Sequence, residues 1–319
     1  MMTAQRNIDL RMKTTMYWLL VGILTLSSCL REETPIPEPD PGDIETVQIE
    51  IGWPYTYQVY YDCETNRVVS TNTKYDWDLA FESTPDGNRI LLNTARGVLI
   101  ANQGEVDFDT VRSADGVKWQ WDAGNGNLDS TAFGNWERKG NVYIVDRQFD
   151  ETGKHLGYKK IQLHSVNQDA YRFTYSNLDG SSKVIYTLKK DPNRAFTHFS
   201  FKGAGKTLNL EPERGTWDLL FTNHQHKFSN LTLPFVLTQV LSNTYDGVTV
   251  AEVYQHSFSD INLSDTARFK FTRYKDEIGY DWKIRNSQDN SFTINPDKCF
   301  IVKTTEGWYF KLRFVDFYN

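Results

Sequence analysis

The chain has 319 residues and a net charge of −6, from 35 Lys and Arg against 41 Asp and Glu. With no long basic stretch to meet a phosphate backbone, nucleic acid is set aside as a partner. The length allows one large core or two small ones behind any leader.

The first element is a leader. Met12-Lys13 runs into the apolar stretch Met16 to Leu26 and then Leu26-Ser27-Ser28-Cys29, which is a charged segment, a short apolar segment and a small-residue cleavage site. The stretch is too short to cross a hydrocarbon core of roughly 30 Å with ordinary flanks. Residues 1–28 are therefore read as a signal peptide, with Met12 as an alternative start. The tetrad resembles a lipobox, in which Cys29 is acylated, the palmitate-type anchoring that holds a lipoprotein to the membrane. Loss of residues 1–28 removes Arg6, Arg11, Lys13 and Asp9 and takes the net charge to −8. Residues 29–47 follow as a tether. Its alternating run Thr34-Pro35-Ile36-Pro37-Glu38-Pro39-Asp40-Pro41 cannot form a core. Glu32-Glu33 resembles the acidic surface-export signal of Bacteroidetes lipoproteins, or is a plain solvated linker. The expected location is the outer membrane, lipid-anchored, with the body exposed at the cell surface.

The body, residues 48–319, reads as strands almost throughout. Gln58-Val59-Tyr60-Tyr61, Asn141-Val142-Tyr143-Ile144-Val145, Tyr171-Arg172-Phe173-Thr174-Tyr175 and Phe300-Ile301-Val302-Lys303 are short β-branched or aromatic runs. Asp86-Gly87, Asp179-Gly180, Asp246-Gly247 and Glu306-Gly307 punctuate them with residues that tolerate positive φ. No amphipathic helix of four turns is apparent. The expected fold class is all-β, an antiparallel sandwich or meander of many short strands. An internal echo accompanies it: Trp77-Asp78-Leu79-Ala80-Phe81 returns as Trp217-Asp218-Leu219-Leu220-Phe221, 140 positions on. A weaker one sets Tyr143-Ile144-Val145 with Gly157-Tyr158 against Phe300-Ile301-Val302 with Gly307-Trp308. An internally duplicated arrangement is therefore open, with a sub-boundary expected near 203–215. Cys63 and Cys299 are left to pair or stay free.

Catalytic signatures are missing: the sequence has no Gly-x-Ser-x-Gly elbow, no His-Glu-x-x-His helix and no phosphate-binding glycine loop. Asp78 and Asp218, each beside a Trp, read as strand-end carboxylates bonding turn amides rather than as a glycosidase pair. The chain is not expected to be an enzyme. Trp119, Trp121 and Trp136 lie in a Gly/Asn-rich region, where they form a ligand platform or pin a long loop.

The Trp-Asp-Leu-x-Phe strands, the segment Ile278-Gly279-Tyr280-Asp281-Trp282-Lys283 and the terminal run Gly307-Trp308-Tyr309-Phe310-Lys311-Leu312-Arg313-Phe314-Val315-Asp316-Phe317-Tyr318 together resemble the HmuY-like family of Bacteroidetes lipoproteins, from about residue 48 to the end. The resemblance implies an all-β body, haem as ligand, and delivery to an outer-membrane transporter. The alternative is a non-haem surface lipoprotein of the same fold that binds a glycan or a protein partner. Haem needs axial donors and an apolar slot. All four methionines precede Cys29, so ligation falls to histidine first, with tyrosine or cysteine as the alternatives. His224 and His226 stand out because i and i+2 share one face of a strand, where they could also hold a metal from one side. Two imidazoles on one side cannot take opposite axial positions, so His198 or His256 is expected as a partner. His155 and His164 are read as surface residues.

Overall fold

The computed structural model describes residues 42–318. The expected signal peptide, the expected acylation site Cys29 and most of the expected tether lie outside the described residues. Hairpin β1 (Tyr57–Asp62) and β2 (Arg67–Thr73) is followed by β3 (Leu79–Glu82) and β4 (Ile90–Leu92). Then come β5 (Leu99–Asn102), β6 (Val142–Asp146), β7 (Tyr158–Val166), β8 (Ala170–Asn177) and β9 (Val184–Lys189). The chain continues through β10 (Phe196–Ser200), β11 (Lys206–Leu208), β12 (Leu219–His226), β13 (Phe235–Ser242) and β14 (Thr249–Tyr254). It closes with β15 (Lys283–Arg285), β16 (Phe292–Ile294), β17 (Lys298–Lys303) and β18 (Tyr309–Leu312). The only helical elements among the described residues are short 3-10 turns. The fold is all-β, as the alternating runs and turn residues predict, in several antiparallel sheets with no closed barrel.

β5 to β9 form an up-and-down meander in sequence order. Its inward side chains Tyr143, Ile161, Tyr171, Phe173 and Tyr175 pack on Leu79, Phe81 and Phe199 in the largest core. Between β8 and β9 the chain reverses at Gly180, whose φ of 90° suits a residue without a Cβ. Asp179 accepts from both the amide and the hydroxyl of Ser181 to close that turn.

The remaining strands show the repeat. Two four-stranded sheets have the orders β13-β12-β1-β2 and β11-β10-β3-β4. Each combines a hairpin from one half of the chain with a hairpin from the other: β1 pairs with β12, and β10 with β3. The Trp-Asp-Leu-x-Phe echo sits at the same place in both. Asp78 donates its amide to Phe199 O and accepts from Phe201 N; Asp218 donates to Tyr61 O and accepts from Cys63 N. Asn93 and Asn243 then bond back to the carbonyls of Trp77 and Trp217 through their side chains. Further on, Lys160 donates to the carbonyls of Phe108 and Val111, and Lys311 to those of Phe258 and Ile261. The weaker echo holds too, since Tyr143-Ile144-Val145 lies in β6 and Phe300-Ile301-Val302 in β17, each followed by its partner hairpin strand. The two halves thus repeat one structural pattern and are interlocked by exchanged hairpins. Residues 203–215 hold the turn after β10, strand β11 and the approach to β12.

Cys63 and Cys299 are both buried and unbonded. Cys63 packs in the second core with Leu219, Val240 and Phe300, while Cys299 donates weakly to Val253 O.

Candidate functional site

The two copies of the Trp-Asp hairpin differ in length. Sixteen positions separate Trp77 from Asn93, whereas twenty-six separate Trp217 from Asn243. The ten extra residues lengthen β12 and β13, which pair from Leu219↔Ser242 out to His226↔Phe235, while β3 and β4 share only three pairs. Both histidines of the His224-Gln225-His226 pair lie in that extension.

They lie in different surroundings. His224 is buried, with Nε2 3.0 Å from Gly124 O and Nδ1 2.8 Å from Thr94 Oγ1. A carbonyl can only accept, so Nε2 carries the proton and Nδ1 accepts from the hydroxyl. Burial, followed by the positive charge of Lys275, pulls its pKa down to about 3. A neutral ring with both nitrogens engaged has no lone pair to offer iron or zinc until those bonds break. His226 is half-buried at the end of β12, its ring edge-on to Phe228 at 4.7 Å and to Tyr280 at 4.8 Å. Phe235, across the ladder from it, is 55% exposed, and Leu231 and Leu233 of the hairpin tip are exposed as well. Single exposed apolar residues are ordinary, whereas three at alternate positions of one hairpin arm, Leu231, Leu233 and Phe235, are a denser grouping.

The other two candidates lie elsewhere. His198 is buried on β10 with its ring edge-on to Trp77 at 4.7 Å, and burial with Lys275 and Arg194 holds its pKa near about 3. His256 is exposed beyond the end of β14, against Phe269, beside a hollow of about 360 Å³ that Asp260, Asp265 and Arg268 also line. The structure therefore brings His224 and His226 onto one strand face and gathers neither His198 nor His256 around His226. His155 is exposed, as the sequence predicts, and bonds Asp146, while His164 bonds Thr174. Among the described residues, no cluster of three His, Cys, Asp or Glu side chains is placed to hold a metal ion.

Trp136 is buried in the main core with its indole donating to Asn88 O, so it pins its loop. Trp119 is partly buried and stacks on Tyr158. The Asp122 carboxylate below that loop accepts from Leu92 N and Ala132 N, and burial pushes its pKa up to about 6.

Sequence reasoning missed Phe228, Leu231, Leu233 and Phe235. The available signal was the unequal spacing between Trp-Asp and Asn in the two copies. It also left open what the Ile278 to Lys283 segment does. Gly279 bridges to Val240 of β13 through both backbone bonds, Lys283 donates to Thr238 O, and Tyr280 reaches His226. Trp282 anchors that segment, stacked on Phe314 at 3.8 Å and edge-on to Phe317 at 5.5 Å. The segment and the terminal aromatic run thus form one brace along the long hairpin.

A family profile described as HmuY protein matches residues 54–319, which contains every part of that brace. The chain belongs to the HmuY family. No curated protein and no solved structure matches it. The HmuY profile covers both interlocked halves. No helix among the described residues is long and apolar enough to cross a membrane.

Proposed function

We propose that this HmuY protein captures haem at the cell surface and passes it, without chemistry, to an outer-membrane uptake system. The observation that carries the reading is the long β12–β13 hairpin, in which a half-buried His226 stands against Phe228 and Tyr280 and opposite Phe235, with exposed Leu231 and Leu233 further along the hairpin, in a family of haem-binding proteins. An imidazole is an iron donor, and aromatic and aliphatic side chains suit a porphyrin face. In this reading His226 supplies the one axial donor from the hairpin. His224, bonded to Thr94 and Gly124, pins the same face of the strand two residues away. The exposed leucines of the tip form the surface that a transporter would meet. Acylation at Cys29 and the proline-rich tether of residues 29–47 would keep the body at the outer membrane while leaving it free to reach such a partner.

Haemin titration tests this. A saturable Soret band at one haem per chain is expected, weakened at least about tenfold by His226→Ala, which removes the only donor, and retained by His256→Ala. A featureless, non-saturating rise sinks the haem reading; a Soret band unchanged by His226→Ala sinks the assignment of the site.

A further inference from the structure

A second region of the molecule has the makings of a site and shares no residue with the long hairpin. An open cleft of about 560 Å³ lies where β6 ends, β7 begins and β8 ends, closed on one side by the turn after β10. Its charged lining is Arg147, Lys159, Lys202 and Asp179. Arg147 forms the floor: its guanidinium holds both oxygens of buried Asp78, at 2.9 and 3.1 Å. Arg96 bonds the same carboxylate, so two guanidinium charges face one carboxylate and the floor retains a surplus positive charge. The half-buried Lys159 reaches Asn177 Oδ1 at 2.5 Å, and exposed Lys202 makes no side-chain hydrogen bond or ion pair with any described residue. The only acidic lining group, Asp179, is already occupied by Ser181. In a chain of net charge −6 this is a concentrated positive spot, and a low-dielectric wall strengthens its field.

The wall is aromatic. Tyr158 is 36% exposed and lies on Trp119 with ring centroids 5.9 Å apart and planes 13° apart. Its other neighbour, His155, is edge-on at 5.3 Å and leads to Phe149, 51% exposed. Tyr158 is the ring of this series that lines the cleft, with the partly buried Trp119 stacked on it, and a flat ring beside a cationic floor matches a ring with an apolar face and an anionic substituent. Haem does not suit the position, because the one imidazole at its edge is already bonded: His155 Nε2 to Asp146, and Nδ1 to the Gly157 amide.

We propose that this cleft binds an acidic saccharide, with Arg147, Lys159 and Lys202 facing its carboxylate or sulfate and the Tyr158–Trp119 stack facing its sugar ring. The test is calorimetric titration of the purified protein with a heparin tetrasaccharide, with a neutral glucose tetrasaccharide, inorganic sulfate and a glutamate peptide as comparisons. Saturable binding of the heparin fragment is expected, weaker by about tenfold when salt rises from about 0.05 M to about 0.5 M. Lys202→Glu, on an exposed side chain, should reduce it several-fold with thermal unfolding unchanged, and Tyr158→Ala should reduce it several-fold in a protein that still unfolds cooperatively, each leaving any haemin spectrum unchanged. The proposal is overturned by an absence of heat at millimolar ligand, by equal affinity for the neutral sugar, sulfate or the peptide, or by variants that bind as the parent does. A haemin spectrum that changes in these variants would also overturn it, by giving the cleft to haem.

Discussion

Asp78 and Asp218 occupy one position in a duplicated motif and have come to do different things. Both immediately precede a strand, β3 or β12, and both accept a backbone amide two residues beyond the partner strand's pairing residue. Around Asp78 the first half adds Arg96 and Arg147. Burial alone would raise its carboxyl, and the two guanidinium groups more than reverse that and hold it below the usual carboxylate range. Around Asp218 the second half adds no cation, and burial pushes its pKa up to about 6. The position of Arg96 in the first Asn-Thr-x-x-Gly-Val turn is taken by Asp246 in the second. A shared backbone scaffold fixes where a carboxylate sits; its non-repeated neighbours decide its charge and its worth. The hairpins follow the same division, short in the half that is tied by buried ions and long in the half that carries His226.

The largest effect should come from breaking the ionic centre. Asp78→Asn strands two buried guanidinium groups, and urea unfolding should show a loss of roughly 3–5 kcal/mol. Asp218→Asn at pH 7 removes a buried carboxylate in its costly ionised form while leaving an acceptor for Cys63 N, so stability should change by less than about 1 kcal/mol. Equal losses in the two variants would show that the halves have not diverged as described.

The two lysine braces offer a finer comparison. Lys160 is fully buried with its ammonium on two carbonyls, whereas Lys311 makes the same pair of bonds from a half-buried position. Lys160→Met should cost about 2 kcal/mol and Lys311→Met about 1 kcal/mol, read by the same denaturant midpoints. Reversal of that order would mean that burial does not set the difference.

The smallest effect concerns the extended hairpin. A histidine whose folded pKa is depressed from 6.5 to about 3 gives stability that is complete above pH 6.5 and erodes as pH falls toward 3. His224→Gln should therefore remove roughly 1 kcal/mol of the stability difference between pH 6.5 and 5.5, since only the unfolded parent chain takes up that proton. Asp122, Asp218 and Glu211 titrate with the opposite sign, their pKa values being raised, and they cancel in the comparison because both proteins contain them. An unchanged pH slope would place a charged His224 in the folded protein.

Much of the architecture was legible from residue patterns. Strand period and Asp-Gly or Asn-Gly turns marked the all-β class, and both echoes marked equivalent strands in the two halves. The partnering of β1 with β12 was not legible, because nothing local to Tyr57–Asp62 distinguishes a strand 158 positions away, at Leu219 opposite Tyr61, from one nearby. The site was half legible. Period-two geometry put His224 and His226 on one face, but only the fold shows the carbonyl of Gly124 and the hydroxyl of Thr94 closing over the first and leaving the second half-buried against the rings of Phe228 and Tyr280.

The sequence by itself determined the local choices: which runs extend, where they turn, which residues recur, and that no methionine of the body can bind iron. Those follow from side-chain sterics and from composition, which act within a few residues. Tertiary structure alone decided the exchange of hairpins, the pairing of Asp78 with Arg96 and Arg147, and which histidine stays accessible. Those depend on desolvation and on contacts between segments far apart in the chain, and they exist only once the two halves have closed on each other.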